Sequence, residues 1–273
     1  MSDDLPAYFM ENDNEVERLE SKVSYDDIRQ QAVWCGIAAG QRILDAGCGP
    51  GKITALLGDM ATPRGAVVGI DTSHERICYA RDVYGGWPHI SFDTRSVTDD
   101  LQDLGEFDVV WSRFLLEYYR RESSDIVKNL GSVLKPGGIL CLLDVDHNCL
   151  NNYELPPRIA ELLPVITESL EEMFNFDPYA GRKLYSYVYD MGYRDIRVTV
   201  VPHYVYYGEV PQRAVFDWMT KIGIVATKMG DLFRSYPGGG RAFVDDCRAF
   251  FLDPRRFSYG STIMCCGIRP RDS

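Results

Sequence analysis

The stretch ILDAGCGPGK, residues 43–52, places three glycines at alternate positions directly after an apolar run that ends in an acid. A short apolar run of this kind is typical of a buried strand, and the glycines indicate a tight turn into a helix. Glycine-rich turns between a strand and a helix often hold a nucleotide, because the backbone can approach the ligand closely there. The stretch therefore predicts a nucleotide-type ligand and leaves open which one.

Seven apolar runs with strand character follow one another along the chain. Over the first 145 residues they alternate with helical spacing, which indicates βαβ units and a parallel sheet. The sixth run shows the alternation of an edge strand or an antiparallel neighbour. We therefore expect an α/β fold with one seven-stranded, mostly parallel sheet and helices on both faces. The predicted strands are residues 42–46, 66–71, 89–93, 107–112, 139–145, 194–201 and 261–268.

The chain divides into three predicted parts. Residues 1–40 form a helical arm with a break at Ser24, and residues 41–147 form the ligand-binding core. Residues 148–273 combine helical insertions with the last two strands of the same sheet, and they begin with a loop over residues 148–157. The insertions leave the sheet after the fifth strand, at the edge where open α/β sheets bind ligands. The inserted helical segments are predicted at residues 161–174, 181–191 and 209–252.

Charge and cysteine content bear on partners and location. The 273 residues carry 29 basic and 40 acidic side chains, for a net charge of −11. Nucleic acids demand a basic face, so this balance argues against a nucleic-acid partner. No apolar stretch approaches the ~20 residues that span a bilayer, and the acidic start of the chain does not resemble a signal peptide. The eight cysteines include no CxxC pair, so we expect reduced thiols and a cytoplasmic location.

The glycines fit neither of the two common phosphate-binding motifs. The dinucleotide fingerprint needs a third glycine where this chain has Lys52. A Walker loop needs one more residue between Gly47 and Gly51, and it needs serine or threonine where Ile53 stands. Neither motif is satisfied, so the turn does not predict a phosphate cradle.

The pattern that remains, D-x-G-x-G-x-G at residues 45–51, resembles the first motif of the class I S-adenosylmethionine-dependent methyltransferases. The similarity continues through FDVVWSRFLLEY (residues 107–118) and LKPGGIL (134–140), which covers roughly the cofactor half of the fold. The flanking NEVERLESK (14–22) and GRKLYSYVYDMGYRDIRV (181–198) resemble small-molecule methyltransferases of the ubiquinone and menaquinone biosynthesis type. The resemblance implies a Rossmann-like sheet, S-adenosyl-L-methionine as methyl donor and S-adenosyl-L-homocysteine as product.

The resemblance also implies roles for individual residues. Asp45 would attract the ammonium group of the methionine moiety, and Gly47 and Gly49 would let the backbone approach the ligand. Asp71, at the end of the second strand, can accept hydrogen bonds from both ribose hydroxyls, a device that nicotinamide enzymes share. Ser96 stands where an acid often contacts the adenine amine, and its hydroxyl would accept that bond instead. The full predicted cofactor-binding set is Asp45, Ala46, Gly47, Cys48, Gly49, Gly51, Asp71, Thr72, Ser96, Val97, Ser112 and Arg113.

Methyl transfer from a sulfonium mainly needs a nucleophile positioned in line, and orientation alone can supply on the order of 7–11 kcal/mol. The sequence therefore need not contain a catalytic triad. The four histidines show no metal-ligand spacing, so no metal is predicted. Asp146 and His147 follow the fifth strand and are the two candidates for a base. A solvated or loop-capping role for His147 is the simpler alternative.

The acceptor is predicted to be a small organic molecule methylated at oxygen, carbon or nitrogen. Aromatic side chains cluster in residues 174–193, where they would form a lid over a flat, apolar substrate. Two alternatives stay open: a protein methyltransferase, and a non-catalytic cofactor-binding or interaction protein that keeps the fold. A nicotinamide oxidoreductase fits poorly because of Lys52. The sequence does not indicate the oligomeric state.

Overall fold

The centre of the molecule is one seven-stranded sheet. The computed structural model describes residues 8–271, apart from the side chains of Asn148 and Cys149. The strands are β1 (Arg42–Ala46), β2 (Ala66–Asp71), β3 (Ile90–Thr94), β4 (Phe107–Arg113), β5 (Leu134–Tyr153), β6 (Arg194–Tyr206) and β7 (Phe257–Ile268). They lie in the order β3-β2-β1-β4-β5-β7-β6, parallel from β3 to β5, with β7 antiparallel to both of its neighbours. The predicted seven-stranded, mostly parallel sheet is confirmed, and β6 is its edge strand.

Helices cover both faces of this sheet, as predicted. The described helices are α1 (Glu15–Lys22), α2 (Tyr25–Cys35), α3 (Lys52–Ala61), α4 (His74–Tyr84), α5 (Ser123–Ser132), α6 (Pro157–Met173), α7 (Leu184–Asp190), α8 (Gln212–Lys228) and α9 (Gly239–Leu252). Helices α2 and α3 pack on one face of the sheet, and α5 and α7 pack on the other. Successive residues of β5 show why both faces are apolar. Leu140 and Leu142 pack with α5 and α7, whereas Cys141 and Leu143 pack with α2 and α3. A strand buried on both faces therefore reads as a continuous apolar run.

Strand β5 continues past its predicted end. Residues 148–157 were predicted as a loop, but β5 runs to Tyr153, and Asn151 and Asn152 pair with β7. Their polar side chains concealed the strand, because backbone pairing rather than apolar burial holds this part of it. Strands β6 and β7 are longer than predicted at the same end, and α6 begins at Pro157 instead of residue 161. The three strands β5, β7 and β6 thus extend beyond the parallel part of the sheet.

A second apolar core lies beside the carboxyl edge of the sheet. Helices α6, α8 and α9, here called the helical cap, enclose it together with residues at the start of the arm. The buried members of this core are Phe9, Met10, Ile159, Ile166, Met229, Phe233, Tyr236, Phe243 and Cys247. The arm itself consists of α1 and α2, and the predicted break at Ser24 is the N-cap of α2. No helix in the described part of the chain is long and apolar enough to cross a membrane.

Candidate active site

A cavity of about 340 Å³, here called the sheet-edge cavity, lies where the carboxyl ends of β1 to β4 meet. Its wall includes the glycine-rich turn after β1, the end of β2 and the segments that follow β3 and β4. Ligands of open α/β sheets bind at this edge because the connections after parallel strands converge there. Eight predicted site residues line the cavity: Gly47, Cys48, Gly49, Asp71, Thr72, Ser96, Val97 and Arg113.

Four predicted residues, Asp45, Ala46, Gly51 and Ser112, do not line this cavity in the part of the chain that is described. Asp45 is 3% exposed, and its carboxylate accepts a hydrogen bond from the Thr54 hydroxyl at 2.6 Å. Burial raises the pKa of Asp45 to about 7. Asp45 therefore joins β1 to α3 beneath the turn, and the structure does not bring it to the surface where a ligand's ammonium group would lie.

Two of the three glycines of the turn, Gly49 and Gly51, serve different purposes. Gly49 has a φ of 55°, and a Cβ built there would meet only Leu19 of α1, at 3.6 Å. Gly51 has a φ of 93°, and a Cβ there would lie 2.8 Å from Ala80 and 2.9 Å from Phe92. Gly51 is thus required by the packing of α3 on its neighbours, whereas Gly49 keeps the cavity wall open.

Asp71 organises the floor of the cavity. Its Oδ2 accepts a hydrogen bond from the backbone N–H of Gly49 at 2.9 Å, and its Oδ1 accepts one from the N–H of Ser73 at 2.9 Å. The guanidinium of Arg76 donates to Oδ1 as well, at 3.0 and 3.2 Å, and pairs with Glu11 at 2.7 Å. A carboxylate offers about four acceptor positions, so Oδ2 retains capacity for a ligand hydroxyl.

The arm lies across one side of the cavity. Tyr8, Phe9, Arg18, Leu19, Lys22 and Val23 are part of its wall. Lys52 at the start of α3 donates to the backbone carbonyl of Glu20 at 2.6 Å, which holds α1 above the glycine-rich turn. Arg18 pairs with Glu15 at 2.7 Å and with Asp217 of α8 at 2.6 Å. These contacts fix the arm to the sheet on one side and to the helical cap on the other.

Two cations on the cavity wall flank the ring of Phe114. The Nζ of Lys22 lies 4.9 Å from the ring centroid and the guanidinium carbon of Arg113 lies 3.9 Å from it. Among the described residues, no carboxylate forms a salt bridge with either cation. Burial lowers the pKa of Arg113 to about 10 and also lowers that of Lys22. Both cations are half-buried, and the Nε of Arg113 donates to the side-chain oxygen of Gln31 at 3.1 Å. Two half-buried cations that face a cavity fit an anionic group of a ligand.

Further titratable groups face these cations. Asp217 pairs with Lys221 at 2.9 Å as well as with Arg18. Burial alone would raise the pKa of Asp217, but the charges of Lys221, Lys22 and Arg18 hold it well below its usual range. Burial, with help from Lys22, lowers the pKa of His203, so His203 is neutral near pH 7.

Asp146 and His147, the predicted candidates for a base, are not on the described wall of the cavity. Asp146 pairs with the guanidinium of Arg182 at 2.7 and 3.1 Å, and His147 packs edge-on against Tyr179 at 5.0 Å between ring centroids. Strand β5 continues past residue 145, its predicted end. Both residues therefore lie along β5 and not in a loop above the site. Glu117 lies on the cavity wall and is 3% exposed. No sequence motif marks it as a site residue.

Three cysteines converge elsewhere in the core. The Sγ atoms of Cys35, Cys141 and Cys266 lie within 4.8 Å of one another, and all three residues are buried in the apolar core between the sheet and α2. The expectation that the chain needs no metal stays a prediction. The sequence could not reveal this cluster, because its members come from a helix and from two strands that are neighbours in the sheet but far apart in the sequence.

Comparison with known proteins places this site in a family. Residues 43–138 match a family model described as a methyltransferase domain. An uncharacterized methyltransferase of Synechocystis is 32% identical over 52% of this chain and 64% of its own length. An O-methyltransferase of Penicillium expansum is 30% identical over 57% of each chain, and trans-aconitate 2-methyltransferase of Escherichia coli is 26% identical over 67% of each. The matched region thus spans about two thirds or less of these relatives.

Solved structures share the fold at low sequence identity. A cyclopropane-fatty-acyl-phospholipid synthase-like protein from Lactobacillus casei has a TM-score of 0.60 and 15% identity, with 94% of each chain covered. Coclaurine N-methyltransferase, bound to N-methylheliamine and S-adenosylhomocysteine, has a TM-score of 0.52 and 17% identity, covering 88% of this chain and 72% of that one. The family model and the methyltransferase relatives identify residues 43–138 as a methyltransferase domain, and the sheet has the fold of these solved structures.

Proposed function

We propose that the chain transfers a methyl group from S-adenosylmethionine to a small organic acceptor by in-line displacement. The observation that carries the proposal is the sheet-edge cavity of about 340 Å³, in which the glycine-rich turn, Asp71 and the arm meet. Bound there, the sulfonium would supply an activated methyl group with a neutral leaving group. The protein's task is then to hold donor and acceptor in line and to exclude water.

The residues of the cavity fit each part of this cofactor. The free acceptor capacity of Asp71 suits the ribose hydroxyls, and the open turn at Gly49 suits the methionine backbone. Lys22 and Arg113 suit the methionine carboxylate, because they are cations that lack a carboxylate partner among the described residues. Ser96 and Val97, which follow β3, remain the proposed neighbours of the adenine.

The cover over the cavity supports a small acceptor rather than a protein side chain. The arm closes one side, and Phe174 and Asn175, which follow α6, contribute from the cap. One relative is named for a small organic acid, trans-aconitate.

We also propose the three-part division of the chain, a cytoplasmic location and the lack of a nucleic-acid partner. The resemblance to methyltransferases of the ubiquinone and menaquinone biosynthesis type stays a proposal as well. Glu117 replaces Asp146 and His147 as the candidate base.

Replacing Asp71 by asparagine should weaken binding of S-adenosylhomocysteine by at least about tenfold, because the charge-assisted hydrogen bond that a ribose hydroxyl donates to Oδ2 becomes a neutral one. Isothermal titration calorimetry measures the affinity. Asp108→Asn is the matched control, since Asp108 binds Arg42 and Lys135 at the opposite end of the sheet. Equal affinities of the Asp71 and Asp108 variants would remove Asp71 from the site.

Replacing Gly49 by valine should abolish cofactor binding, because the new side chain would occupy the space between the turn and α1. Gly40→Val is the control for backbone strain: Gly40 also has a positive φ, of 89°, but no atom lies within 4 Å of its built Cβ. Both variants should lose thermal stability, and only the Gly49 variant should lose binding in calorimetry. Tight binding by Gly49→Val would show that the glycine serves only the turn.

The affinity for S-adenosylhomocysteine should fall as the pH rises from 6 to 8.5, and Lys22→Met should flatten this dependence. Burial lowers the pKa of Lys22 in the free protein, and a bound carboxylate raises it again, so the complex is favoured where Lys22 is protonated. Lys128→Met, at an exposed position of α5, is the control and should keep the slope. An unchanged slope in Lys22→Met would contradict the proposed carboxylate contact.

Binding of S-adenosylhomocysteine should also close the arm and the segment after β5 over the sheet-edge cavity. Hydrogen exchange in residues 8–34 and 150–190 should slow on adding S-adenosylhomocysteine, by more than in residues 139–145 of β5, because covers over a site belong to the less stable parts of a structure. Deleting residues 1–30 should reduce cofactor affinity and leave the sheet folded, as circular dichroism would show. Exchange that ignores the ligand, with full affinity in the truncated chain, would make the arm a packing element only.

A further inference from the structure

A second cavity, of about 160 Å³, lies inside the helical cap and is here called the cap cavity. Protein interiors are normally packed without voids much larger than a water molecule, and a cavity lined by apolar groups does not hold water well. A dry apolar cavity of this size can instead take up a small apolar ligand. Its apolar wall includes Leu150, Leu155, Ile159, Leu163, Ile166, Leu170, Phe176, Trp218, Ile222, Val225, Phe243, Phe250 and Phe251.

One polar atom in this wall lacks a partner. The hydroxyl of Ser258 is buried, with the residue 1% exposed, and it forms no hydrogen bond with any described residue. Ser258 lies on β7, in the part that extends past the parallel sheet and pairs with Asn152 of β5. A buried hydroxyl is normally satisfied, so Ser258 points to a hydrogen-bonding group on a ligand in the cap cavity.

The cap cavity borders the sheet-edge cavity. Phe9 and Tyr118 belong to the walls of both. Their rings are part of a layer of aromatic contacts: Tyr118 lies 4.7 Å from Tyr8 and 5.6 Å from Phe176, and Phe9 lies 4.6 Å from Phe174, between ring centroids. The two cavities are thus neighbours, and two aromatic residues of this layer belong to both walls.

An ion-pair chain runs beside the same border. Lys221 lines the cap cavity and pairs with Asp217, which in turn pairs with Arg18 on the wall of the sheet-edge cavity. Lys221, Asp217 and Arg18 are thus held in ion pairs at one part of the border. An apolar molecule that extends from one cavity to the other would instead pass the aromatic rings. A molecule that occupies both cavities would place its apolar part in the cap and its reactive end among the polar groups.

We propose that the cap cavity binds the apolar body of the methyl acceptor, whose nucleophilic atom reaches past Phe9 and Tyr118 toward the methyl donor. The inference rests on the proposed function and names its substrate class: a lipophilic small molecule with a short aliphatic chain or fused rings, carrying one hydrogen-bonding group that meets Ser258. A lysine or arginine side chain of a protein substrate is a poor occupant, because its charge would be buried against apolar walls.

The test uses the full chain, saturated with S-adenosylhomocysteine, and the neutral fluorescent probe 1-aminoanthracene. The probe is titrated into this complex, and its binding is measured by fluorescence. Ile166→Trp fills the cap cavity from α6 and should weaken probe binding at least tenfold. Val165→Trp is the matched control, since the neighbouring Val165 is 43% exposed and not on the wall, and it should bind the probe within about twofold of the parent chain. Leu163→Phe is a second filling variant in case Ile166→Trp does not fold.

Calorimetric affinity for S-adenosylhomocysteine is measured for every variant and should be unchanged. Probe binding that survives in the folded filling variants would overturn the proposal, as would displacement of the probe by S-adenosylhomocysteine, which would place the probe in the sheet-edge cavity. A parent chain that does not bind the probe overturns it as well. A chain that binds the probe but not S-adenosylhomocysteine contradicts the proposed function and, with it, the assignment of the cap cavity to an acceptor.

The contact with Ser258 is tested by competition between 2-naphthol and naphthalene for the probe site. The hydroxyl should make 2-naphthol the tighter competitor by at least threefold, and Ser258→Ala should erase this difference. Ser261→Ala, on the same strand but outside the cavity wall, should preserve it. An equal preference in the parent chain and in Ser258→Ala would overturn the role of Ser258.

Discussion

The carboxylate of Asp71 is the contact on which the site depends. It holds the backbone N–H of Gly49 and that of Ser73, so one side chain at the end of β2 fixes both the glycine-rich turn and the first turn of α4. Through Arg76 it is also linked to Glu11 at the start of the arm. The sheet, the glycine-rich turn and the arm therefore all contact Asp71 or its partner Arg76. A ribose bound to Asp71 would lie where these three elements meet.

The extension of β5, β6 and β7 gives the second half of the chain its role. It carries the sheet past its parallel part and supplies Ser258 to the cap cavity, while the carboxyl ends of β1 to β4 supply the sheet-edge cavity. The matched family model covers residues 43–138 and so ends before this extension and the cap. The carboxyl ends of β1 to β4 thus lie within the region that matches the family model, and the helical cap lies outside it.

The sequence predicted the sheet well because strands buried on both faces leave continuous apolar runs. The sequence also predicted most of the residues on the cavity floor, because a tight turn after a strand needs glycine and an acid at a strand end can bind ribose hydroxyls. Lys22, Arg76 and Glu117 were missed because a polar residue on or near a helix looks the same in sequence whether it faces solvent or a cavity. Asp146 and His147 were chosen on the assumption that β5 ends at residue 145, and polar side chains hid the strand's continuation.

A crystal structure of the chain with S-adenosylhomocysteine tests the central claim most directly. The account predicts the ribose hydroxyls at the carboxylate of Asp71, the methionine backbone against Gly49, and the methionine carboxylate between Lys22 and Arg113. A ligand ordered in the sheet-edge cavity with its carboxylate away from both cations, or with its ribose away from Asp71, would contradict the account.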